Sequence, residues 1–198
     1  MSIWARKTYR IIVGSIFPVV YYFSPKWVPI SIIGFFLLLI SILEVERHVH
    51  PGLWPFIIKR PYGKIFKKQP GKILGTTYFL IGSLLTIILF EKSIAISVLL
   101  FTVFGDAIST IVGVKYGKIK VFGDKTLEGS LSFFLICLAL GIGLIYLPRL
   151  RILHTLNPFL ILFGSAAAAL MELLPLHVDD NLSIPIFSGI VMEIVRRV

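Results

Sequence analysis

One cysteine, Cys137, stands in 198 residues, so the chain can form no internal disulfide and no cysteine-based metal site. It lies in an apolar run, where a small packing role is the ordinary expectation. Acids are scarce: 10 Asp and Glu against 20 Lys and Arg, for a net charge of +10. His48, His50, His154 and His177 lack the spacing of a zinc site. There is no GxxxxGK[ST] string, which excludes a Walker A phosphate loop. There is no internal repeat and no low-complexity tract. The basic start leads into apolar spans with no small-residue cleavage site, so no cleavable signal peptide is expected.

What the chain has is apolar length. Hydrophobic residues make up 57% of it, and mean hydropathy is +0.92. That composition predicts an all-α, multi-span membrane bundle forming one integral membrane domain over residues 1–198. Seven apolar segments stand near 9–23, 27–45, 73–90, 93–114, 129–147, 156–175 and 182–195, giving six to seven hydrophobic segments of spanning or near-spanning length. A full span needs about 20 residues, so the short first and last segments could be tilted, re-entrant or interfacial.

The basic excess reads as topology rather than nucleic-acid binding, because Lys and Arg collect in cytoplasmic loops. Residues 1–10 carry three basic residues, 46–72 carry seven and 114–128 carry four. This predicts cytoplasmic placement for those three regions and, by alternation, for the Asp179-Asp180 loop. The 46–72 segment mixes Trp54, Phe56, Tyr62 and Phe66 with its cations. It reads either as a cytoplasmic interfacial segment among anionic lipid headgroups or as an ordinary positive-inside loop.

The acids that remain are placed for chemistry. Asp106 sits in an apolar segment, where a carboxylate costs about 2.5–3.5 kcal/mol at membrane depth. Such a residue defaults to a functional role. Asp106, Ser109 or Thr110, and Gly113 share a helix face, which also suits a packing seam around a hydrogen-bonded acid. The Gly/Lys loop that follows, with Lys115, Gly117 and Lys118, offers N–H groups and mobile cations to polyphosphate; positive-inside bias alone is the alternative. Thr126 is a candidate cap for the next helix, with Glu128 in its first turn as a dipole partner or a metal ligand. Lys125 beside them is a candidate phosphate contact. Glu172 shares a face with Ser165 and small alanines and should point into the bundle. Asp179, Asp180 and Asn181 then open the last segment, as metal ligands or as a solvated cap. Mg²⁺ wants oxygen ligands, commonly one or two carboxylates with waters and phosphates. Asp106, Glu128, Glu172, Asp179 and Asp180 form the candidate metal set.

Taken in order, Gly105-Asp106-Ala107, Gly113, Gly117-Lys118, Lys125-Thr126-Leu127-Glu128-Gly129-Ser130, Glu172 and Asp179-Asp180-Asn181-Leu182 with Pro185 resemble the CTP-dependent polyprenol kinases. That family includes dolichol kinase, phytol kinase and the CTP-using diacylglycerol kinase of yeasts, and is related to phosphatidate cytidylyltransferases. The similarity runs from about Glu44 onward. It implies a small helical membrane enzyme moving the γ-phosphoryl group of CTP to a lipid alcohol with a divalent metal. By position it implies a nucleotide–metal site at Asp106, Lys125, Glu128, Asp179 and Asp180. Asp106, Glu128 and Asp180 are then the candidate catalytic acids, with Asp106 as the first choice for accepting the hydroxyl proton. Lys115, Gly117, Lys118, Lys125 and Asn181 are the candidate nucleotide contacts. The chain departs from the family at Arg6-Lys7, which is followed by Arg10 where members often carry His. The Gly-His-Gly-Gly string and late Asp-Arg pair of cytidylyltransferases are missing, which places CDP-lipid synthesis second. A small ion-coupled transporter using Asp106 and Glu172 is the alternative of a different class. It would call for inverted repeats.

Overall fold

A computed structural model describes residues 3–49, 73–146, 155–176 and 178–198. Nearly all of them are helical. We number the helices α1 (Ile3–Phe23), α2 (Trp27–Val49), α3 (Gly75–Leu89), α4 (Lys92–Tyr116), α5 (Leu127–Tyr146), α6 (Pro158–Leu173) and α7 (Asp180–Arg197). Each of the seven apolar segments became one helix. Three of them, Trp27–Glu46, Lys92–Tyr116 and Leu127–Tyr146, are long and apolar enough to cross a membrane. α3 and α6 are apolar but shorter, at 15 and 16 residues.

α4 is the axis of the bundle. Ile94, Ala95, Val98, Leu99, Phe101 and Ala107 along it are all essentially inaccessible. α1, α5 and α7 pack against it; α6 lies between α5 and α7, and α2 lies on the outer side of α3. α2 keeps Phe35, Phe36, Leu38, Leu39 and Ile42 exposed, as a helix facing hydrocarbon would. Three buried serines bond back one turn inside this apolar core: Ser97 donates to Ser93 O, Ser165 to Ile161 O and Ser188 to Ile184 O. α4 is also interrupted. Phe101–Gly105 forms a π-helical turn ending just before Asp106, and the Cys137 thiol donates to Phe101 O at 3.7 Å. Cys137 is buried, in keeping with a packing role. Single π turns occur frequently at functional sites.

The helices alternate in direction, which gives the bundle two polar ends. At one, Lys26 donates to Ile88 O, Lys92 to Ser24 O and Thr155 to Glu91. The other gathers the start of α1, the C-terminal ends of α2, α4 and α6, and the N-termini of α3, α5 and α7. Here lies the departure from an all-helical reading. Residues 120–126 form a short antiparallel hairpin, β1 (Lys120–Phe122) and β2 (Lys125–Thr126), pairing Lys120 with Thr126 and Phe122 with Lys125. Gly123 turns it with φ +55°, a conformation glycine adopts without penalty. The Gly/Lys loop is thus a helix end plus a hairpin. Most of the basic-aromatic 46–72 segment lies outside the described residues, as do His50, His154 and His177.

Candidate functional site

Asp106 is not left alone in its apolar helix. Its Oδ2 accepts from Lys7 Nζ at 2.7 Å and from Arg10 Nη1 at 2.7 Å, both on α1. Lys7 also donates to the Asp106 carbonyl at 3.2 Å, as does Thr110 Oγ1 at 2.8 Å. The three side chains are 16%, 32% and 18% exposed for Lys7, Arg10 and Asp106, so these charge-assisted bonds are only partly screened. Sequence reasoning missed Lys7 and Arg10. It counted residues 1–10 toward topology and noted Arg10 where the resembled family often carries His, but gave neither cation a place in the site; α1 begins at Ile3 and puts positions 7 and 10 on one face. An acid in an apolar helix needs a cation partner, and the i,i+3 pair near the start was available to fill that need.

Lys125 organises the next group. Its ammonium donates to Asp180 Oδ2 at 3.0 Å and to the backbone carbonyl of Glu172. One side chain therefore ties β2 to the end of α6 and the start of α7. Ser130, a turn into α5, donates to Glu172 Oε2 at 2.8 Å. Lys125, Asp180, Glu172 and Ser130 thus form one hydrogen-bonded group, at the same end of the bundle as Asp106. Burial pushes the Asp180 carboxyl above the usual carboxylate range, against the pull of the Lys125 ammonium.

The other candidates sit around this cluster with local duties. Asp179 caps α7, accepting from Asn181 N at 3.0 Å and Asn181 Nδ2 at 2.6 Å. Asn181 also reaches Gly75 O at 3.4 Å on α3. Its Oδ1 is buried with no hydrogen-bond partner among the described residues. Glu128 is half-buried, and both its oxygens accept from Ile119 N at 3.3 Å, clasping the hairpin to α5. Thr126 caps α5 through Gly129 N at 3.2 Å. Gly117 spends its N–H on Gly113 O rather than holding it for a ligand. A Cβ there would stand 2.7 Å from Thr126 Oγ1, so glycine is needed for the cap to close against α4. Lys115 lies over the Tyr116 ring at 5.1 Å, and Lys118 is exposed.

Carboxylate oxygens are the donor type a hard cation takes. Among the described residues, Asp106 Oδ1, Glu172 Oε1 and Asp180 Oδ1 accept no hydrogen bond, while the second oxygen of each carboxylate is engaged. No group of three or more His, Cys, Asp or Glu side chains converges into a ready-made cage among these residues. Two apolar clefts are lined by none of Asp106, Lys125, Glu172 and Asp180. One, of about 420 Å³, runs between α6 and α7 at the opposite end, beside Asn157, Phe163 and Val198. The other, of about 380 Å³, lies between α2 and α3, beside Glu44, Val49 and Thr77. Glu44 accepts there from Leu74 N at 2.6 Å and Thr77 Oγ1 at 3.0 Å.

The fold and site thus define an apolar helical protein with a carboxylate–lysine cluster at one end of its bundle. No family model matches the chain, and no solved structure is similar to it. Among curated proteins it is 29% identical over 178 residues to an uncharacterized protein of Rickettsia prowazekii, covering 86% of this chain and 84% of that one. It is 31% identical over 132 residues to an uncharacterized protein of Methanocaldococcus jannaschii, covering 64% of this chain and 61% of that one. It is 30% identical over 122 residues to a probable phytol kinase, chloroplastic, of Glycine max. That match covers 57% of this chain and 40% of the plant protein. The chain therefore has a distant, partial homologue among phytol kinases.

Proposed function

We propose that this protein is a membrane lipid kinase that moves the γ-phosphoryl group of CTP to the hydroxyl of a membrane lipid alcohol. Phytol or another isoprenoid alcohol is the first substrate class to test, ahead of diacylglycerol. The observation that carries the reading is the hydrogen-bonded group of Lys125, Glu172 and Asp180 at the polar end of an apolar bundle where Asp106 meets Lys7 and Arg10. The distant similarity to a phytol kinase supports it. α5 and α7 direct their N-termini to the same end, and such termini favour anionic groups.

In this reading the hydroxyl oxygen bonds to Pγ, the bond from Pγ to the β–γ bridging oxygen breaks, and CDP leaves. Phosphoryl transfer asks mainly for positioning and charge neutralisation. Lys125 reaches the phosphates from β2. Asp106 Oδ1 and Glu172 Oε1 are the oxygens that would hold Mg²⁺, which would neutralise phosphate charge, leaving Asp180 Oδ1 open to take the proton. Glu128 keeps the hairpin that carries Lys125 in place. Asp180 is the proton acceptor we favour, since burial raises its affinity for a proton, while Asp106 Oδ2 already carries two cations. The basic loops and the site face the cytoplasm, where CTP is supplied, and the alcohol enters from the bilayer. The test is incubation of purified protein with CTP or ATP and a panel of phytol, polyprenol and diacylglycerol, with products read by mass. A lipid monophosphate formed from CTP is the expected result. No phosphorylated lipid from any acceptor would overturn the reading.

A further inference from the structure

We propose that residues 114–127 form a membrane-docking element. Tyr116, Ile119 and Phe122 sit in the headgroup layer of an anionic bilayer, and Lys115 and Lys118 contact its lipid phosphates. The inference does not depend on which group the protein transfers. Position comes first. α4 and α5 are both long and apolar enough to cross a membrane, and the hairpin is the link between them. A short link folded back on itself between two spans stays near the height where the spans leave the hydrocarbon. The headgroup layer is therefore the surface within its reach.

The side chains suit that layer. Val114, Tyr116, Ile119, Val121, Phe122 and Leu127 are all exposed. The backbone beneath them is held: Ile119 N donates to Glu128, Leu127 N donates to Ile119 O at 2.9 Å, and Lys120 pairs with Thr126. This is an ordered ribbon carrying bare apolar groups. A two-stranded ribbon is marginal by itself in water, and a run of exposed apolar side chains marks a contact surface. Lys115, Lys118 and Lys120 are exposed and interleave with those groups. Aromatics at headgroup level with lysines among phosphates is the chemistry of a bilayer interface. Lysines also outnumber acids here. Besides Lys125, which pairs with Asp180, the stretch from 114 to 128 has three lysines against Asp124 and Glu128. An anionic leaflet is the complementary surface. Positive-inside bias accounts for the lysines, but not for the aromatic and aliphatic side chains between them.

The test reads immersion, not turnover. Phe122→Cys and, separately, Ile119→Cys are labelled in the full chain with an environment-sensitive fluorophore. Cys137, the one native cysteine, is buried, and the unaltered protein gives the background. Each labelled protein is placed in nanodiscs of phosphatidylcholine alone, or of equal parts phosphatidylcholine and phosphatidylglycerol. Lipids carrying a nitroxide near the headgroup serve as quencher. Both labels should be quenched, and at least about twofold more strongly in the anionic discs, because each lysine near the surface adds to the attraction. Lys115→Gln with Lys118→Gln should remove that difference while circular dichroism shows the helices intact. The second label site keeps the test decisive if one cysteine variant fails to fold. Quenching of neither label would put the hairpin in water or against protein and overturn the proposal. Equal quenching in the two disc compositions would overturn it as well, and so would a difference that survives the double substitution.

Discussion

Replacing Lys125 by methionine separates two roles that its position combines. The lysine donates to Asp180 Oδ2 at 3.0 Å and to Glu172 O, and its side chain is 26% exposed against 37% for Asp180. At that exposure the ion pair is substantially screened and contributes about 0.5 kcal/mol. The charge-assisted bond to the carbonyl adds about 1 kcal/mol. Methionine keeps the length of the apolar stem, so the fold should lose about 1–2 kcal/mol and persist. The effect on nucleotide is larger if the ammonium meets phosphate. A hydrogen bond to a charged group is worth about 1.5–3 kcal/mol, which is about 10- to 100-fold in Kd. CTP affinity is measured by calorimetry on protein in nanodiscs, beside the KM for the lipid alcohol. We expect CTP binding to weaken by that factor and the lipid KM to stay within about twofold, since the lipid tail never meets Lys125. Lys120→Met serves as the control, because Lys120 is exposed on the neighbouring strand. CTP affinity within about twofold of the unaltered protein in folded Lys125→Met would refute the reasoning and leave the lysine as a clasp among β2, α6 and α7.

Asp106→Asn should retain the helical fold and lose about 10²–10⁴-fold in kcat, a range typical of positioned charged groups; near-normal turnover would reduce Asp106 to a packing residue. With Asp180 as proton acceptor, only its ionised form is active, so the rate should fall as pH drops through a value above that of an ordinary carboxylate. Asp180→Asn should remove that limb along with most of the activity, and a limb that survives the substitution assigns it elsewhere. Gly105→Ala would place a Cβ 2.5 Å from the Phe133 ring beside the π turn, and overpacking of this kind costs about 1–3 kcal/mol, readable as a lowered Tm. Lys118→Cys and Asp179→Cys should react with an impermeant thiol reagent from the same face of the membrane; opposite faces would break the shared site.

The seven apolar segments translated into seven helices because hydropathy dominates local structure in a chain this apolar. Their boundaries drifted where polar residues join a helix. α1 starts at Ile3 rather than near residue 9, so Lys7 lies in the helix one turn before Arg10. Their partner is 96–99 residues away, a separation that no local pattern reports. The hairpin at 120–126 was hidden for another reason. Its five strand residues are few, and lysines within them masked the alternation that a longer strand would show. Thr126 as a cap and Glu128 in a first turn were readable, because capping chemistry is local. Gly117 was readable as a special position but for a different cause, a close approach to Thr126 rather than an open N–H. The clustering of Glu172, Asp180 and Lys125 depends on how α5, α6 and α7 pack, and only the folded chain displays it.

The central claim is transfer of the γ-phosphoryl group of CTP to a lipid hydroxyl, and the position of the label decides it. CTP labelled at the γ-phosphate and CTP labelled at the α-phosphate are incubated in parallel with the protein, Mg²⁺ and the preferred alcohol, and the lipids are separated by thin-layer chromatography. Metal dependence would not discriminate, since transfer of either phosphoryl or nucleotidyl groups uses Mg²⁺ to neutralise phosphate charge. The account predicts label in the lipid from the γ position, none from the α position, and CDP as the second product. Label entering the lipid from the α position, with release of pyrophosphate, would contradict it.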